Sequence, residues 1–288
     1  MRNTLVFLAI MKTIITLKLY KMRILFIVLL SSFKLAAQEL FVVTEPASNM
    51  PTSSIGARMG QSLMKESFQT GYNYHFMPEI MYGASKSLML HANAFVSNRN
   101  EKLVVEGGGF YAKYRVFSVD DIHSHFRIAT FVRGSINNSD IHQEEIETMG
   151  HNTGFDTGLV ATQLLNKLAI SASVSYEKAF DNGTKNPFPS VQSNFATNYT
   201  LSFGKLVYPK IYTTLKQTNI NLMIEFLGQR LNENSRSYLD VVPAIQFIIN
   251  SQARVDLAYR QQIFSDMFRT APNGVLLKLE YTFFNVGD

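Results

Sequence analysis

Cysteine is absent from this chain of 288 residues, which excludes disulfide bonds and thiolate metal sites and fits an exported protein. Long apolar runs are also lacking: beyond the N-terminus, no run approaches the ~20 apolar residues that a membrane-spanning helix needs. Glycine motifs of the Walker or dinucleotide-binding type do not occur, so we expect no cofactor. The mean hydropathy of +0.01 is still compatible with a transmembrane β-barrel, because alternating apolar and polar residues average to neutral.

Positive charge is concentrated at the N-terminus. The whole chain has 27 basic and 22 acidic residues, but six of the basic residues and none of the acids precede residue 38. Removing those six leaves 21 basic against 22 acidic side chains, a net charge near −1. A nucleic-acid partner would therefore have little electrostatic support, and we expect none.

Residues 1–37 have the pattern of a cleavable secretory signal peptide. Lys21-Met22-Arg23 is basic, an apolar run follows, and small residues end at Ala37 before a polar Gln38. We place cleavage after Ala37 and favour Met22 as the true start of translation. The alternative is an uncleaved anchor helix, but neither apolar run reaches ~17 residues without a lysine or arginine.

From residue 53 onward, apolar and polar residues alternate with the period of a β-strand whose two faces meet different surroundings. In the segment 168–178, for example, Leu168, Ile170 and Val174 alternate with serines and Glu177. Twelve such segments are predicted, most of them close to the ~9–11 residues with which a tilted strand crosses a bilayer. They lie near 54–63, 77–85, 87–97, 105–116, 125–134, 153–164, 168–178, 194–206, 217–228, 237–249, 252–263 and 274–285.

The connections between these segments differ in length on the two sides of the predicted sheet. Every second connection is longer and polar, and the others are mostly tight turns, apart from 117–124 and 207–216. An even number of strands with long loops on one side is the pattern of outer-membrane barrels, with both termini in the periplasm. The chain is thus predicted to be all-β, a transmembrane antiparallel up-and-down barrel of about 12 strands over residues 53–288.

Charge separates the two faces of the predicted strands. The outward faces carry no charged residue except Lys178 and Lys205 at strand ends, where long side chains can reach the interface. The predicted inward faces carry fifteen: Arg58, Glu79, Lys113, Arg115, Arg127, Arg133, Asp156, Glu177, Glu225, Asp240, Arg254, Asp256, Arg260, Lys278 and Glu280.

A soluble β-sandwich also alternates, but its inward face is a packed core that excludes charge. The uncharged face here is rich in aromatic residues near strand ends, which is typical of the girdle of a membrane barrel. The predicted girdle residues are Tyr82, Tyr114, Phe126, Tyr199, Phe203, Tyr238, Tyr259, Tyr281 and Phe283.

The end of the chain, where Tyr281 and Phe283 close an alternating run, resembles the aromatic C-terminal insertion signal of outer-membrane barrels, although four further residues follow Phe284. Across residues 40–285, with stretches such as 44–51 (TEPASNMP) and 250–254 (NSQAR), the chain also resembles a Gram-negative family of porin- and transporter-like outer-membrane β-barrels. The resemblance implies a location in the cell outer membrane, with membrane lipids and the barrel-insertion machinery as partners, and it implies no substrate.

Residues 38–52 contain Pro46 and Pro51, which argue against a central strand there. A periplasmic tail and a plug tucked into the barrel are both compatible with this composition.

Strands four and five combine several inward basic residues, and like charges on neighbouring strands destabilise a sheet unless they are compensated. Two interpretations remain open. Either acids reach these cations across a water-filled lumen, or a basic wall attracts anions. The cluster is Lys113, Arg115, His125, Arg127 and Arg133, and the opposing acids are Glu79, Asp156, Glu225, Asp240, Asp256 and Glu280.

The six histidines lie between residues 75 and 151, and we interpret His142 and His151 as ordinary polar residues of an exposed loop, so no metal site is expected. An outer-membrane phospholipase would need a serine with a histidine in hydrogen-bonding reach. No histidine falls on a predicted outward position, and we expect no catalytic residues and no enzyme.

The favoured function is a passive channel or transporter for small polar or ionic solutes, anions among them. The alternative is a non-conducting structural or surface-interaction barrel, closed by side chains or by residues 38–52 and acting through the loops 135–152 and 179–193. Twelve strands lie between filled eight-stranded barrels and open sixteen-stranded porins.

Overall fold

The computed structural model describes residues 41–68, 70–98, 102–121, 124–211, 214 and 216–286; the predicted signal peptide lies outside them. Twelve antiparallel strands form one closed barrel in which each strand pairs with its sequence neighbours and the last pairs with the first. The predicted fold is confirmed. The strands are β1 Ile55–Lys65, β2 Tyr72–Gly83, β3 Leu88–Ser97, β4 Val104–Asp120, β5 Ser124–Asn137, β6 Gly154–Leu165, β7 Leu168–Ala179, β8 Phe195–Tyr208, β9 Asn219–Leu231, β10 Ser237–Ile249, β11 Ala253–Ser265 and β12 Asn273–Phe283.

The barrel closes through an unbroken antiparallel ladder between β1 and β12, from Ile55 opposite Phe283 to Lys65 opposite Asn273. Closure gives every strand two neighbours, so that no edge of unpaired N–H and C=O groups remains. One end of the barrel carries the short connections together with the start of β1, and we call it the short-turn end. The other, the long-loop end, carries the connections 138–153 and 180–194. Within the described residues, no helix is long and apolar enough to cross a membrane.

The exterior of the barrel is an apolar belt. Large side chains such as Ile80 (63% exposed), Leu159 (52%) and Leu257 (48%) are open to the surroundings, whereas Arg58 and Asp256 on neighbouring positions are buried inside. An apolar belt flanked by aromatic residues matches the hydrocarbon of a bilayer. The exterior surface thus agrees with the predicted location in the outer membrane.

Several strands are longer than predicted, and β2 and β4 are clear examples. β2 begins at Tyr72 instead of residue 77, and β4 continues to Asp120 instead of residue 116, so that only residues 121–123 of the predicted connection 117–124 separate β4 from β5. Two β-bulges interrupt β4, one opposite Phe95 and Val96 and one after Arg115. Each bulge adds a residue on one strand and changes the face on which the following residues lie. Strict alternation therefore cannot assign β4 along its whole length.

Tyr238 was wrongly assigned to the exterior girdle. Its side chain is buried in the lumen (7% exposed), where its ring lies under the guanidinium of Arg269, 3.8 Å from the centroid. The reason is geometric: Tyr238 lies two residues before Asp240, and residues two apart on a strand share a face.

Two stretches of chain outside the strands lie inside the barrel. One is residues 41–53, the N-terminal segment, in which Phe41, Val42 and Ala47 are at most 2% exposed. The other is residues 138–152, the inner loop, which folds back into the lumen from the long-loop end. The prediction that this loop is exposed was wrong, because Glu145 and Ile146 are both buried.

The apolar belt makes a prediction for charged substitutions. Leu159 lies at the middle of β6 and Leu165 at its end, and both side chains face outward. We expect Leu159→Arg to lower the free energy of unfolding by about 2–4 kcal/mol and Leu165→Arg by about 0–1 kcal/mol, because the cost of a charge in lipid falls toward the interface. Denaturant unfolding in lipid vesicles measures both. Equal effects at the two positions would contradict the assignment of this face to lipid.

Candidate functional site: the closed lumen

The carboxylate of Glu225 holds the beginning of the N-terminal segment. Glu225 lies midway along β9 and is fully buried. Its two oxygens accept hydrogen bonds from the backbone N–H groups of Val42 (2.8 Å), Val43 (3.0 Å) and Thr44 (2.8 Å), and from the Thr44 hydroxyl (2.8 Å). Hydrogen bonds to an ionised acceptor are about twice as strong as neutral ones. This single side chain therefore satisfies three consecutive backbone donors that would otherwise be unpaired inside the barrel.

Two cations of the barrel wall hold the middle of the segment. Arg58 of β1 donates to Glu45 (2.9 Å), and the Lys113 ammonium donates to the carbonyl oxygens of Pro46 (2.7 Å) and Ser48 (2.9 Å). Burial alone would raise the pKa of the Glu45 carboxyl, but the charges of Arg58 and Lys113 outweigh burial and hold this pKa well below its ordinary value. Glu45 is thus ionised across the physiological range.

Apolar contacts complete the docking of the segment. Phe41 and Val42 join a cluster with Met223, Leu227 and other residues of β7, β9, β10 and β11. Met50, farther along the segment, packs with Met81, Met89 and Tyr111. The segment therefore crosses the lumen from the β9 wall to the start of β1, with its polar backbone hydrogen-bonded and its apolar side chains buried.

The predicted basic cluster is only partly brought together. Arg127 and His125 share the carboxylate of Asp120, at 2.9 Å and 3.3 Å, and Arg127 also donates to the Ser48 hydroxyl (3.0 Å). Strict alternation would bring Arg115 of β4 close to His125 and Arg127 of β5, but the bulge places Arg115 opposite Ala129, and Ser118 lies opposite Arg127. The compensating acid is Asp120, from the end of β4, and not an acid across the lumen.

The other predicted site residues form separate ion pairs along the wall. Arg133 lies 3.4 Å from Asp156 on the adjacent strand, and its ion pair is separate from the contacts of Lys113 and Arg127 with the N-terminal segment. The remaining acids are divided among local partners: Glu79 and Glu280 both contact Arg58 (2.9 Å each), Glu280 and Asp256 contact Arg254 (3.0 Å each), and Asp240 contacts Arg260 (2.7 Å).

A second network holds the inner loop at the long-loop end. Arg269, from the β11–β12 connection, donates two hydrogen bonds to Asp240 (2.7 and 2.8 Å) and contacts Glu145 of the loop (2.7 Å). Arg260 bridges the same two acids, at 2.9 Å from Glu145 and 2.7 Å from Asp240. Burial favours a higher pKa for the Glu145 carboxyl, but the charges of Arg269 and Arg260 prevail and lower it to about 2.

Two further wall residues bind the inner loop. The Gln229 side chain accepts from the N–H of Ile146 (2.9 Å) and donates to its carbonyl oxygen (2.7 Å). Glu177 accepts from the N–H (2.7 Å) and the hydroxyl (2.8 Å) of Thr148. The inner loop is thus held to the barrel wall by hydrogen bonds of its backbone with Gln229 and Glu177, and by the ion pairs of its buried Glu145 carboxylate.

A cavity of about 160 Å³ remains between the N-terminal segment and the inner loop. Its wall is formed by β1, β2, β11 and β12, with Val43 of the segment and Glu145, Glu147 and His151 of the loop. The rings of His75 and His151 stack there with their centroids 4.7 Å apart. Across the described part of the chain, no three metal-ligating side chains are grouped so as to hold an ion.

Several residues that bind inside the lumen were not predicted from the sequence. Glu45, Glu145 and Arg269 lie outside the strands, where period-two alternation carries no information about direction. Glu106 accepts a hydrogen bond from the Ser97 hydroxyl (2.6 Å). It lies on β4 at the bulge opposite Phe95 and Val96, where alternation along the strand does not show whether a side chain points inward or outward. Gln229 is uncharged, so the count of charged residues passed over it.

The Glu225 contacts predict how the N-terminal segment is released. Glu225→Ala leaves three backbone N–H groups without their acceptor, and a hydrogen bond to a charged group contributes about 1.5–3 kcal/mol. We expect amide hydrogen exchange at residues 42–44 to accelerate by about tenfold to a hundredfold, since ~1.4 kcal/mol corresponds to a factor of ten. Mass spectrometry of the refolded barrel measures this. Glu225→Gln, which keeps one acceptor oxygen, should give a smaller change, and unchanged exchange in Glu225→Ala would refute the docking role.

The lowered pKa of Glu145 predicts the acid stability of the inner loop. A carboxyl whose pKa is depressed on folding stabilises the folded form above its unfolded value, here 4.5, and loses that contribution as the pH falls through its folded value of about 2. A nitroxide attached at His142→Cys, in this chain without native cysteine, should stay immobilised from pH 7 to pH 4 and become mobile near pH 2. With Glu145→Gln added, it should be mobile at pH 7.

A nitroxide on the exterior at Leu257→Cys controls for unfolding of the barrel, and its spectrum should not change over this range. Mobilisation of the loop label centred above pH 4, with the exterior label unchanged, would show that the ion pairs of Glu145 do not hold the loop.

Comparison with known proteins finds no matching family model and no matching curated relative. Among solved structures, the chain is similar to an outer membrane channel from Pseudomonas putida F1, with a TM-score of 0.54 and 11% identity over 84% of this chain and 100% of that one. Other similar structures are the KdgM porin, with a TM-score of 0.42 and 12% identity over 80% and 99%, and Pseudomonas aeruginosa OprD, with 0.37 and 6% over 84% and 99%. The likeness to the first shows that the chain has the fold of an outer-membrane β-barrel, as its sequence resemblance implied.

Proposed function

We propose that this protein is a gated outer-membrane channel for small polar or ionic solutes, and that the arrangement described above is its closed state. The N-terminal segment and the inner loop are the closing elements. The barrel wall supplies a polar pathway once one or both are withdrawn.

The observation that carries this proposal is how the lumen is filled. Small barrels that never open are filled by side chains of their own wall that meet across the interior. Here ion pairs between strand residues join side chains of one strand or of adjacent strands, such as Arg58 with Glu79 and Arg133 with Asp156. Contacts that join wall residues to chain inside the lumen, such as those of Glu225 with Thr44 and of Gln229 with Ile146, involve the N-terminal segment and the inner loop. Withdrawing those stretches would leave the wall and its charges in place.

The basic residues of β4 and β5 support a closing role for the segment more than a selectivity filter. Lys113 and Arg127 donate to Pro46 and Ser48 of the segment, so their hydrogen-bonding capacity is used in the closed state. The same residues would become available to anions in an open state, because their carbonyl and hydroxyl partners would leave with the segment.

A non-conducting barrel that acts through its outer loops is the second candidate, and the depth of the docking favours it. Phe41, Val42 and Ala47 are almost completely buried, so withdrawing the segment exposes apolar surface to water at a cost of about 25 cal/mol per Å². An enzyme is not proposed, since the rings of His91 and His151 are enclosed by the lumen and not presented to lipid.

Planar-bilayer recording separates the two candidates. We expect the chain beginning at Gln38 to conduct little. A chain beginning at Ser53 should conduct more often, because it lacks the N-terminal segment. Replacing residues 141–149 with a short Gly-Ser linker in the shorter chain should give a steady open current. Heat-modifiable migration on gels verifies that each variant is a folded barrel. A folded double variant without any current would rule out the channel.

A further inference from the structure

The cavity between the N-terminal segment and the inner loop contains a cation that the lumen networks do not use. Lys278 lies midway along β12 and lines this cavity. Its ammonium forms no hydrogen bond or ion pair with any residue that the structure describes. The other basic residue of the cavity wall, Arg260, is bonded to Glu145 and Asp240. Lys278 is therefore the cation whose donors are left to a visiting group.

The acids around Lys278 are held by other partners. Asp256, opposite Lys278 on β11, and Glu280, two residues along β12, both contact Arg254 at 3.0 Å. In the cavity wall, Glu145 contacts Arg260 (2.9 Å) and Arg269 (2.7 Å), and Glu147 lies 3.6 Å from His151. An anion that entered the cavity could therefore pair with the ammonium of Lys278 without displacing an existing ion pair.

The space in front of Lys278 results from a glycine. Lys278 is opposite Gly60 on β1, and Gly60 is opposite Met77 on β2. Without a side chain at Gly60, the inward face has an opening beside the ammonium. The cavity volume of about 160 Å³ is well above the ~10–15 Å³ in which one water fits, so a molecule of several non-hydrogen atoms can be accommodated.

Two polar side chains line the same cavity. Ser62, next along the inward face of β1, and Asn73 of β2 both line the cavity, and neither side chain is hydrogen-bonded within the described residues. A hydroxyl and an amide NH₂ group can both donate to an oxygen anion, and the ammonium offers three donors. Donors from three adjacent strands therefore line one partly enclosed space.

We propose that this cavity is a binding site for a small carboxylate anion, of the size of acetate, anchored on Lys278. The site does not depend on conduction, because it exists in the closed state with both closing elements in place. Its donor set suits a planar group with two oxygens, for which charge-assisted hydrogen bonds are the strongest available.

Calorimetric titration of the refolded chain in detergent, at constant ionic strength, tests the site with sodium acetate as the probe. Acetamide, which has the same shape without the charge, is the matched control ligand. We expect saturable acetate binding and at least tenfold weaker binding of acetamide. Absence of saturable acetate binding, or equal affinity for the two ligands, would overturn the proposal.

Variants locate the binding. Lys278→Met removes the charge at similar length, and Gly60→Val fills the opening; an added Cβ at residue 60 would meet Met77 atoms only at ordinary contact distances of 3.6–3.8 Å. Both should weaken acetate binding at least tenfold, whereas Lys278→Arg should retain most of it. Lys205→Met, on the exterior of β8, is the control and should bind normally. An unchanged acetate affinity in folded Lys278→Met, verified by heat-modifiable migration, would show that binding lies elsewhere.

Discussion

A lipid-facing exterior forces the charged side chains of the strands into a narrow interior, and the rest of the structure depends on how those charges are satisfied. A buried charge is tolerated only when it is paired and hydrogen-bonded. Adjacent strands provide part of the solution, as in the contacts of Arg58 with Glu79 and Glu280. Glu225 and Lys113 take partners from the backbone of the N-terminal segment. The segment and the wall thus satisfy each other: the wall needs donors and acceptors, and a strandless chain inside a barrel needs the same.

The same principle operates at the other end with a different chain. The inner loop brings one acid, Glu145, to two arginines and presents its backbone to Gln229 and Glu177. Between the two inserted stretches lies a cavity whose wall contains Lys278. Closure of the lumen is therefore made in two layers with an internal space between them. A solute that crosses the barrel would have to displace both layers, and one that enters the space alone would meet Lys278 among the residues of its wall.

Alternation over the twelve segments was sufficient to predict the fold because membrane strands obey one simple rule: apolar side chains face lipid and polar ones face inward. Strand β10 agrees with its predicted bounds, and β7 differs by a single residue. The rule fails where its assumption fails. At the two bulges of β4, the following residues change from one face of the sheet to the other, and nothing in the composition marks these positions. The inward position of Glu106 and the strand partner of Arg115 could therefore not be predicted from the sequence. For Tyr238 the rule itself holds, and the error lay in placing it opposite to Asp240 on the same strand.

Sequence alone determined that this chain is an all-β barrel whose exterior is uncharged apart from strand ends and whose lumen contains the charges, since those properties follow from residue type and a period of two. Only the tertiary structure decided what fills that lumen. Residues 41–53 and 138–152 have no periodicity, and the partners that hold them include residues more than 80 positions away in sequence, such as Glu225 for Val42 and Gln229 for Ile146. Contacts of that kind depend on the closed geometry of the barrel, which brings the two partners to the same level along the barrel axis. No local sequence pattern predicts them.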